Sequence, residues 1–248
     1  MNSYSWSSQA AAGSPAPLER RQRPRVHAYT AADHPPPGAP IPASSLEQLK
    51  RQPRQPGEAS FFYFDPHFQH NAAKVLPGEY FVSNEDLVIV TVLGSCIAAC
   101  LWDRTMRVGG MNHFMLPEGD SSDASGRYGS YAMELLINEM LKLGARRESM
   151  QAKIFGGGQV MANFTTMNVG ERNTSFVTNY LHTERIPIVS EDVLDIYPRK
   201  VVYFPATGKV MVKRLAHAHP EELVQQERTR GSAAVVARNT AGGSVDLF

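Results

Sequence analysis

Apolar stretches in the centre of the chain predict a β-sheet built from neighbouring segments. Residues 87–93, 97–102 and 108–116 are rich in Val, Ile, Leu and aromatic residues, and short connections separate them. This pattern indicates three consecutive strands. Residues 152–155 form a further apolar run that leads into three glycines, which indicates another short strand.

Two other segments follow the helical period. Ser130 is predicted to open a helix in which apolar residues recur at three- and four-residue spacing from Met133 to Leu141, and Gly144 lies where a glycine commonly ends a helix. A second helix is predicted to begin near Asn173, a suitable N-cap residue, and to run to residue 181.

The last patterned segment predicts a β-hairpin. Two arms rich in Val, residues 200–204 and 209–213, flank the turn Pro-Ala-Thr-Gly. Strands and helices in this mixed order predict a single α+β domain. We expect the domain to span residues 59–215.

The two ends of the chain lack this patterning. Ten of the 17 prolines lie in residues 1–58, amid Ser, Ala, Gln and Arg, with too few apolar residues to build a core. We therefore expect residues 1–58 to be a disordered extension and residues 216–248 to be a flexible tail.

Composition narrows the class of protein. The 248 residues, 42% of them hydrophobic, suffice for one or two domains with a core. A net charge of +1 selects neither nucleic acid nor an anionic membrane, and two cysteines are typical of a reducing compartment. No apolar run reaches the roughly 20 residues of a membrane span. We expect a cytoplasmic protein that binds no nucleic acid and inserts into no membrane.

Candidate chemistry lies at the ends of the predicted strands. Cys96 follows Gly-Ser directly after the first strand, and His113 ends the third. An imidazole can take the proton of a thiol that attacks an acyl carbon and return it to the leaving group. The backbone N–H groups of Ser95 and Cys96 can hold the resulting oxyanion, and the Thr91 hydroxyl can orient the imidazole.

These residues also have structural interpretations. A free cysteine is commonly a small buried hydrophobe, and Cys100, inside an apolar strand, is interpreted that way. Thr91 has the β-branched side chain that favours strands. A metal site built from His67, His70, His113 and a cysteine matches no trusted ligand spacing, so no metal is expected.

The triple glycine after residue 155 lacks the spacing of a phosphate-binding loop, so it implies no nucleotide. Glycine permits close approach of another chain or of a substrate. We interpret Gly156, Gly157 and Gly158 as candidates for a substrate loop.

Taken together, these motifs resemble those of a known family. Thr-Val-Leu-Gly-Ser-Cys at 91–96, Gly-Gly-Met-Asn-His-Phe-Met-Leu-Pro at 109–117, Lys-Ile-Phe-Gly-Gly at 153–157 and Gly-Glu-Arg-Asn at 170–173 recur, before the hairpin, in CheD. CheD is the chemoreceptor glutamine deamidase family of bacterial chemotaxis. Where many relatives have a glycine pair before an arginine, this chain reads Leu-Asp-Ile-Tyr-Pro-Arg at 194–199.

The resemblance implies a three-layer α/β/β sandwich, similar to the deamidase domain of cytotoxic necrotising factor toxins. Cys96 matches the nucleophile of the family, His113 its general base and Thr91 its third residue. The implied reaction hydrolyses glutamine side chains of methyl-accepting chemotaxis receptors to glutamate and ammonia, with no metal or organic cofactor. The implied location is the cytoplasm, at chemoreceptor arrays.

Two other functions stay open at this point. One is a non-catalytic adaptor that binds chemoreceptors or a CheC-type phosphatase. The other is a cysteine protease or a different amidase, which deamidation would distinguish by ammonia release without chain cleavage. The presence of both Cys96 and His113 favours an enzyme, because an adaptor needs neither side chain.

Overall fold

A computed structural model of the chain describes residues 43–116, 122–159 and 169–215. The first 42 residues of the expected extension, and the expected tail at residues 216–248, lie outside the described residues. None of the helices in the described ranges is long and apolar enough to span a membrane. These helices are α1 (Ala43–Arg51), α2 (Ser122–Lys142) and α3 (Val169–Thr183).

Ten strands form the rest of the regular structure in the described ranges. They are β1 (Phe61–Asp65), β2 (His70–Lys74), β3 (Tyr80–Ser83), β4 (Val88–Leu93), β5 (Ile97–Asp103), β6 (Val108–Phe114), β7 (Met150–Gly156), β8 (Ile188–Val193), β9 (Arg199–Phe204) and β10 (Lys209–Arg214).

The strands make two sheets of five. The sheet with strand order β3-β6-β5-β7-β8 is called the central sheet here, and that with order β1-β2-β4-β9-β10 the outer sheet. Neighbouring strands are antiparallel except for the β2–β4 and β7–β8 pairs. The chain crosses between the sheets after β2, β3, β4 and β8, so β4 and β5, joined by a three-residue turn, lie in different sheets.

The faces of β5 show how the layers stack. Ile97, Ala99 and Leu101 belong to the core that also contains buried residues of α2 and α3. Ala98 and Cys100 point the other way, into the core shared with the outer sheet. Because side chains alternate along a strand, the central sheet is buried on both faces. The order helices, central sheet, outer sheet confirms the predicted three-layer α/β/β sandwich.

The predicted strands and hairpin are confirmed, with ends that differ by at most two residues. Each of them is specified locally, by a period-2 or fully apolar run with turn residues at its ends. Pairing of Val201 with Val212 shows the expected register of the β9–β10 hairpin.

Both predicted helix starts are wrong. Helix α2 begins at Ser122 in place of residue 130, and α3 begins at Val169, which places Asn173 inside the helix and not at its N-cap. The Asn173 side chain is fully buried and bonds to other segments of the chain. Its amide therefore serves tertiary contacts, which local capping rules do not register. Gly144, with φ +90, does lie in the left-handed conformation expected after a helix.

Disorder is the wrong prediction for residues 43–58, which pack on the domain. Leu49 of α1 is 5% exposed and belongs to the core between the sheets. Arg54 forms an ion pair of 2.7 Å with Glu58, and its guanidinium lies 4.3 Å from the centre of the Phe62 ring. One leucine and one arginine anchor this segment, and the average composition of residues 1–58 conceals them.

We predict that Leu49→Ala lowers the free energy of unfolding by about 2 kcal/mol or more, as expected for loss of a buried leucine. Urea denaturation monitored by circular dichroism measures this value. The control is Gln48→Ala, because Gln48 is the exposed neighbour on the same helix. Equal stability of the two variants would mean that α1 does not belong to the core.

Candidate active site

Two candidate side chains meet between the sheets. Thr91 lies on β4 of the outer sheet, and His113 lies on β6 of the central sheet. Strand alternation turns Thr91 to the same side as Ile89 and Leu93, and His113 to the same side as Met111, and these three apolar residues line the core between the sheets. Thr91 Oγ1 and His113 Nδ1 are 2.8 Å apart, and both residues are 1% exposed.

The Thr91 hydroxyl determines the tautomer of the imidazole. It donates its proton to the carbonyl oxygen of Val75 over 2.7 Å. A hydroxyl has one proton, so toward the ring it can only accept a hydrogen bond. The proton therefore lies on Nδ1 of His113, and Nε2 presents a lone pair. This is the arrangement that a general base requires.

Burial also sets the charge of this histidine. Desolvation lowers the pKa of His113 to about 3, although the Val75 carbonyl acts in the opposite direction. The imidazole is therefore neutral at pH 7 in the resting protein. A neutral ring can accept a thiol proton at the moment of attack, so a preformed thiolate–imidazolium pair is not needed.

Strand register places Cys96 beside His113. In the β5–β6 pair, Ala98 is opposite His113, and Cys96 lies two positions earlier along the chain. Cys96, Ala98 and Cys100 all belong to the core between the sheets, so Cys96 and Cys100 are the two diagonal neighbours of His113 on that face. Diagonal neighbours have Cα atoms about 7–8 Å apart, within reach of an imidazole. Cys96, which is 0% exposed, differs from Cys100 because it lies in the turn between β5 and β4, the strand that carries Thr91.

The turn at residues 94–96 is held by its carbonyl oxygens, all three of which accept hydrogen bonds. In chain order, the donors are the N–H of Gly158 at 2.8 Å, the side-chain amide of Asn173 at 2.9 Å and the N–H of Gly157 at 2.8 Å. In a trans peptide the C=O and the next N–H point in opposite directions. The N–H groups of Ser95 and Cys96 are therefore directed away from Gly158 and Asn173, respectively. These two N–H groups are the candidates for holding the oxyanion.

The three glycines at the end of β7 and just after it pack against neighbouring backbone. All three are buried, and a Cβ atom on Gly156 would lie 2.1 Å from the carbonyl oxygen of Cys96. Gly156 also has φ +108, a conformation that other residues rarely adopt. The close approach that Gly156 and Gly158 allow is to the turn that carries Cys96, and the one that Gly157 allows is to Gly170 and Thr174 of α3. The three glycines thus support this turn, and their role as a substrate loop stays a prediction.

A buried arginine holds the neighbouring loop. Arg199 is fully buried, and its Nη2 lies 3.0 Å from the Asp192 carboxylate and 2.6 Å from the Leu194 carbonyl oxygen. Leu194 and Asp195 have φ values of 63 and 70, in the left-handed region that favours glycine. These strained residues stand where many relatives are expected to have a glycine pair. The loop keeps the conformation without the glycines, because the ion pair and backbone bonds hold it.

The remaining candidate residues make other contacts. His70, at the start of β2, contacts Asp86 at 3.2 Å and the ring of Phe204. Within the described ranges, no group of three or more His, Cys, Asp or Glu side chains could hold a metal ion. Burial raises the pKa of the Cys100 thiol, and nearby Lys153 offsets this only in part. Cys100 therefore has the character of a buried, unreactive thiol.

Three relatives are similar to this chain over most of its length. A probable chemoreceptor glutamine deamidase CheD 1 of Albidiferax ferrireducens is 75% identical over 205 residues, which cover 83% of this chain and 87% of that protein. A probable chemoreceptor glutamine deamidase CheD of Methylobacillus flagellatus is 54% identical, with coverage of 77% and 96%. Its counterpart from Janthinobacterium sp. is 51% identical, with coverage of 77% and 95%.

The family model described as CheD chemotactic sensory transduction matches residues 115–214. The layered α/β/β fold and these similarities place the chain in one class of protein, that of bacterial chemotaxis proteins of the CheD type. The chain belongs to the CheD family. A solved structure of the hypothetical protein YfiH from Bacillus licheniformis aligns with a TM-score of 0.32 and 9% identity over 47% of this chain and 49% of its own, which is too low for any conclusion.

We predict that His113 makes the protein less stable in acid. The pKa of this residue is about 3 when folded and 6.5 in a model peptide, so between these values the unfolded chain binds one proton more. The stability is complete above pH 6.5 and is lost as the pH falls toward 3, with a slope of up to about 1.4 kcal/mol per pH unit. His113→Gln should reduce this slope, as measured by urea denaturation at pH 4.5 to 7.5.

The control for this measurement is His182→Gln, which removes an exposed histidine in the last turn of α3. Its slope should match that of the unaltered protein. If His113→Gln also leaves the slope unchanged, the imidazole is not held neutral by burial.

Proposed function

We propose that this protein is a protein-glutamine deamidase that converts glutamine side chains of methyl-accepting chemotaxis receptors to glutamate, with release of ammonia. The observation that carries the proposal is the 2.8 Å contact between Thr91 and His113, next to the turn of Cys96. Identity of 75% to a probable chemoreceptor glutamine deamidase supports the substrate class. The reaction is a hydrolysis of an amide, and its residues are those of a Cys-His-Thr triad.

In the first step, Cys96 is the nucleophile. Its sulfur attacks the side-chain amide carbon of the glutamine while Nε2 of His113 takes the thiol proton. A C–S bond forms, and the carbonyl oxygen becomes an oxyanion. The N–H groups of Ser95 and Cys96 hold this oxyanion. The carbonyl groups of the same two peptides, those of Gly94 and Ser95, are fixed by hydrogen bonds on the opposite side of the turn.

In the second step, the protonated His113 gives its proton to the departing nitrogen. The C–N bond breaks, ammonia leaves and a thioester remains. Water, deprotonated by the neutral imidazole, then hydrolyses the thioester and restores the Cys96 thiol. Throughout, Thr91 keeps the Nδ1 proton in place and Nε2 turned to the reacting atoms.

The product explains a role in chemotaxis. Each conversion adds a negative charge and creates a carboxylate that can accept a methyl group. On a helical coiled-coil receptor, a change of charge alters packing between helices and hence the signalling state. In this proposal the protein works in the cytoplasm at chemoreceptor arrays, where its substrates are found.

The alternative is an adaptor that binds chemoreceptors or a CheC-type phosphatase without chemistry. Binding alone does not require the imidazole of His113, whose burial costs stability. It also does not require the turn at residues 94–96 to have all three of its carbonyl groups hydrogen-bonded. An adaptor would bind a receptor fragment and release no ammonia.

We predict that incubation with a receptor cytoplasmic fragment raises the mass of glutamine peptides by about one dalton, the change from amide to acid. Mass spectrometry of the fragment, with an ammonia assay, measures the reaction. Cys96→Ala should abolish it, while the matched control Cys100→Ala should retain it because that thiol lies inside β5, away from the turn, and burial raises its pKa. Full activity of Cys96→Ala would falsify the mechanism, and chain cleavage would indicate a protease.

We also predict a graded effect in the rest of the triad. His113→Asn should lower turnover by at least about two orders of magnitude, because it removes the general acid–base. Thr91→Val keeps the shape and removes only the orienting hydroxyl, so its loss of turnover should be smaller. Initial rates of ammonia release compare the two. A silent Thr91→Val would remove Thr91 from the triad.

A further inference from the structure

We propose that Asn173 is a positioning residue for the nucleophile. In this proposal, its side-chain amide holds the peptide between Ser95 and Cys96 so that the N–H of that peptide faces the oxyanion. The inference rests on the proposed function and adds a residue outside the Cys-His-Thr triad.

The Asn173 amide bonds to both segments that carry the reaction. Its Nδ2 donates to the carbonyl oxygen of Ser95 over 2.9 Å, and its Oδ1 accepts from the backbone N–H of Leu116 over 3.0 Å. Leu116 follows β6, three residues after His113. One fully buried side chain therefore links the turn of the nucleophile to the strand of the base.

The two bonds specify a single orientation of the amide. If it were flipped, its NH₂ group would face the N–H of Leu116 and its oxygen would face the carbonyl of Ser95. Both contacts would then join like groups at a fully buried position, where unsatisfied polar groups are costly. An asparagine fits this position because it offers one donor and one acceptor in a plane.

The helix that carries Asn173 is itself fixed against the site. A Cβ atom on Gly170 would lie 2.1 Å from the carbonyl oxygen of Gly157, so only glycine allows this approach. The Thr174 hydroxyl donates to the Gly170 carbonyl over 2.8 Å and packs beside Gly157. Residues three and four apart share a helix face. Gly170, Asn173 and Thr174 thus form one face of α3 that contacts the nucleophile turn and the strand end beside it.

The bond to Ser95 acts on the oxyanion donor through one peptide unit. The carbonyl of Ser95 and the N–H of Cys96 belong to the same planar group and point in opposite directions. A donor on the carbonyl sets the direction of this N–H and strengthens it as a donor by polarisation. Loss of this bond should therefore reduce stabilisation of the transition state more than binding of the receptor.

The buried side-chain amide of Asn112 provides a control that separates this positioning role from a purely structural one. Asn112 accepts from the N–H of Ala99 over 3.1 Å and donates to the carbonyl of Ala132 over 3.2 Å. It links the central sheet to α2 as Asn173 links it to α3, but its side chain bonds to no residue of the turn. Asn112→Asp and Asn173→Asp therefore perturb similar bonds in different places.

The experiment measures ammonia release from a receptor cytoplasmic fragment by the full chain, with Tm recorded for each variant. Asn173→Asp should lower kcat about 100-fold, comparable to loss of one oxyanion donor, with KM within about threefold. Asn112→Asp should lower Tm but keep kcat within about threefold at a temperature where it is folded. Asn173→Ala repeats the test if the aspartate variant does not fold.

A second readout is independent of turnover. The rate of alkylation of Cys96 by iodoacetamide is followed against pH. The pH at which this rate is half-maximal should rise in Asn173→Asp, because the Cys96 N–H dipole that favours a negative sulfur is turned away. In Asn112→Asp this midpoint pH should stay unchanged. Such a shift, in a protein that releases no ammonia at all, would overturn the proposed function and support the positioning role. Unchanged kcat and midpoint in both Asn173 variants, or equal loss of kcat in Asn112→Asp, would overturn the positioning role itself.

Discussion

The chain of hydrogen bonds from His113 through Thr91 to the Val75 carbonyl is the interaction on which the site depends. It crosses the core between two sheets, so it exists only when the sheets are packed in one relative position. Because both side chains are buried, the bonds are strong and desolvation keeps the ring neutral. The same burial that destabilises an imidazolium therefore prepares a base with a defined tautomer.

The nucleophile is positioned by a second, separate set of contacts. The β4–β5 turn crosses from the outer to the central sheet, and its three carbonyls are bonded by the end of β7 and by α3. Glycine at 156, 157 and 170 lets these backbones come close enough to do so. The base is oriented from the outer sheet, and the nucleophile turn is held by the end of β7 and by α3, so rigid packing of the layers sets the geometry between them.

Local rules succeeded wherever the chain specifies structure by itself. Strand runs, the Val-rich hairpin and Gly144 after α2 follow from period and turn chemistry, and the structure agrees. The rules failed at Asn173, predicted to be an N-cap, and at Leu49, in a segment predicted to be disordered. The local sequence does not show whether a distant segment packs against either side chain. Leu194 and Asp195 are a similar case, since a buried ion pair holds them in a conformation their residue types disfavour.

The sequence by itself determined which residues could do chemistry. A cysteine in a Gly-Ser turn and a histidine at a strand end are local patterns, and their order identifies the family. Only the tertiary structure decided the register that makes Cys96 a diagonal neighbour of His113, the tautomer of the ring and the supporting place of the glycines. The physical reason is that hydrogen-bond direction and desolvation depend on which segments meet in the core, and these meetings join residues far apart along the chain.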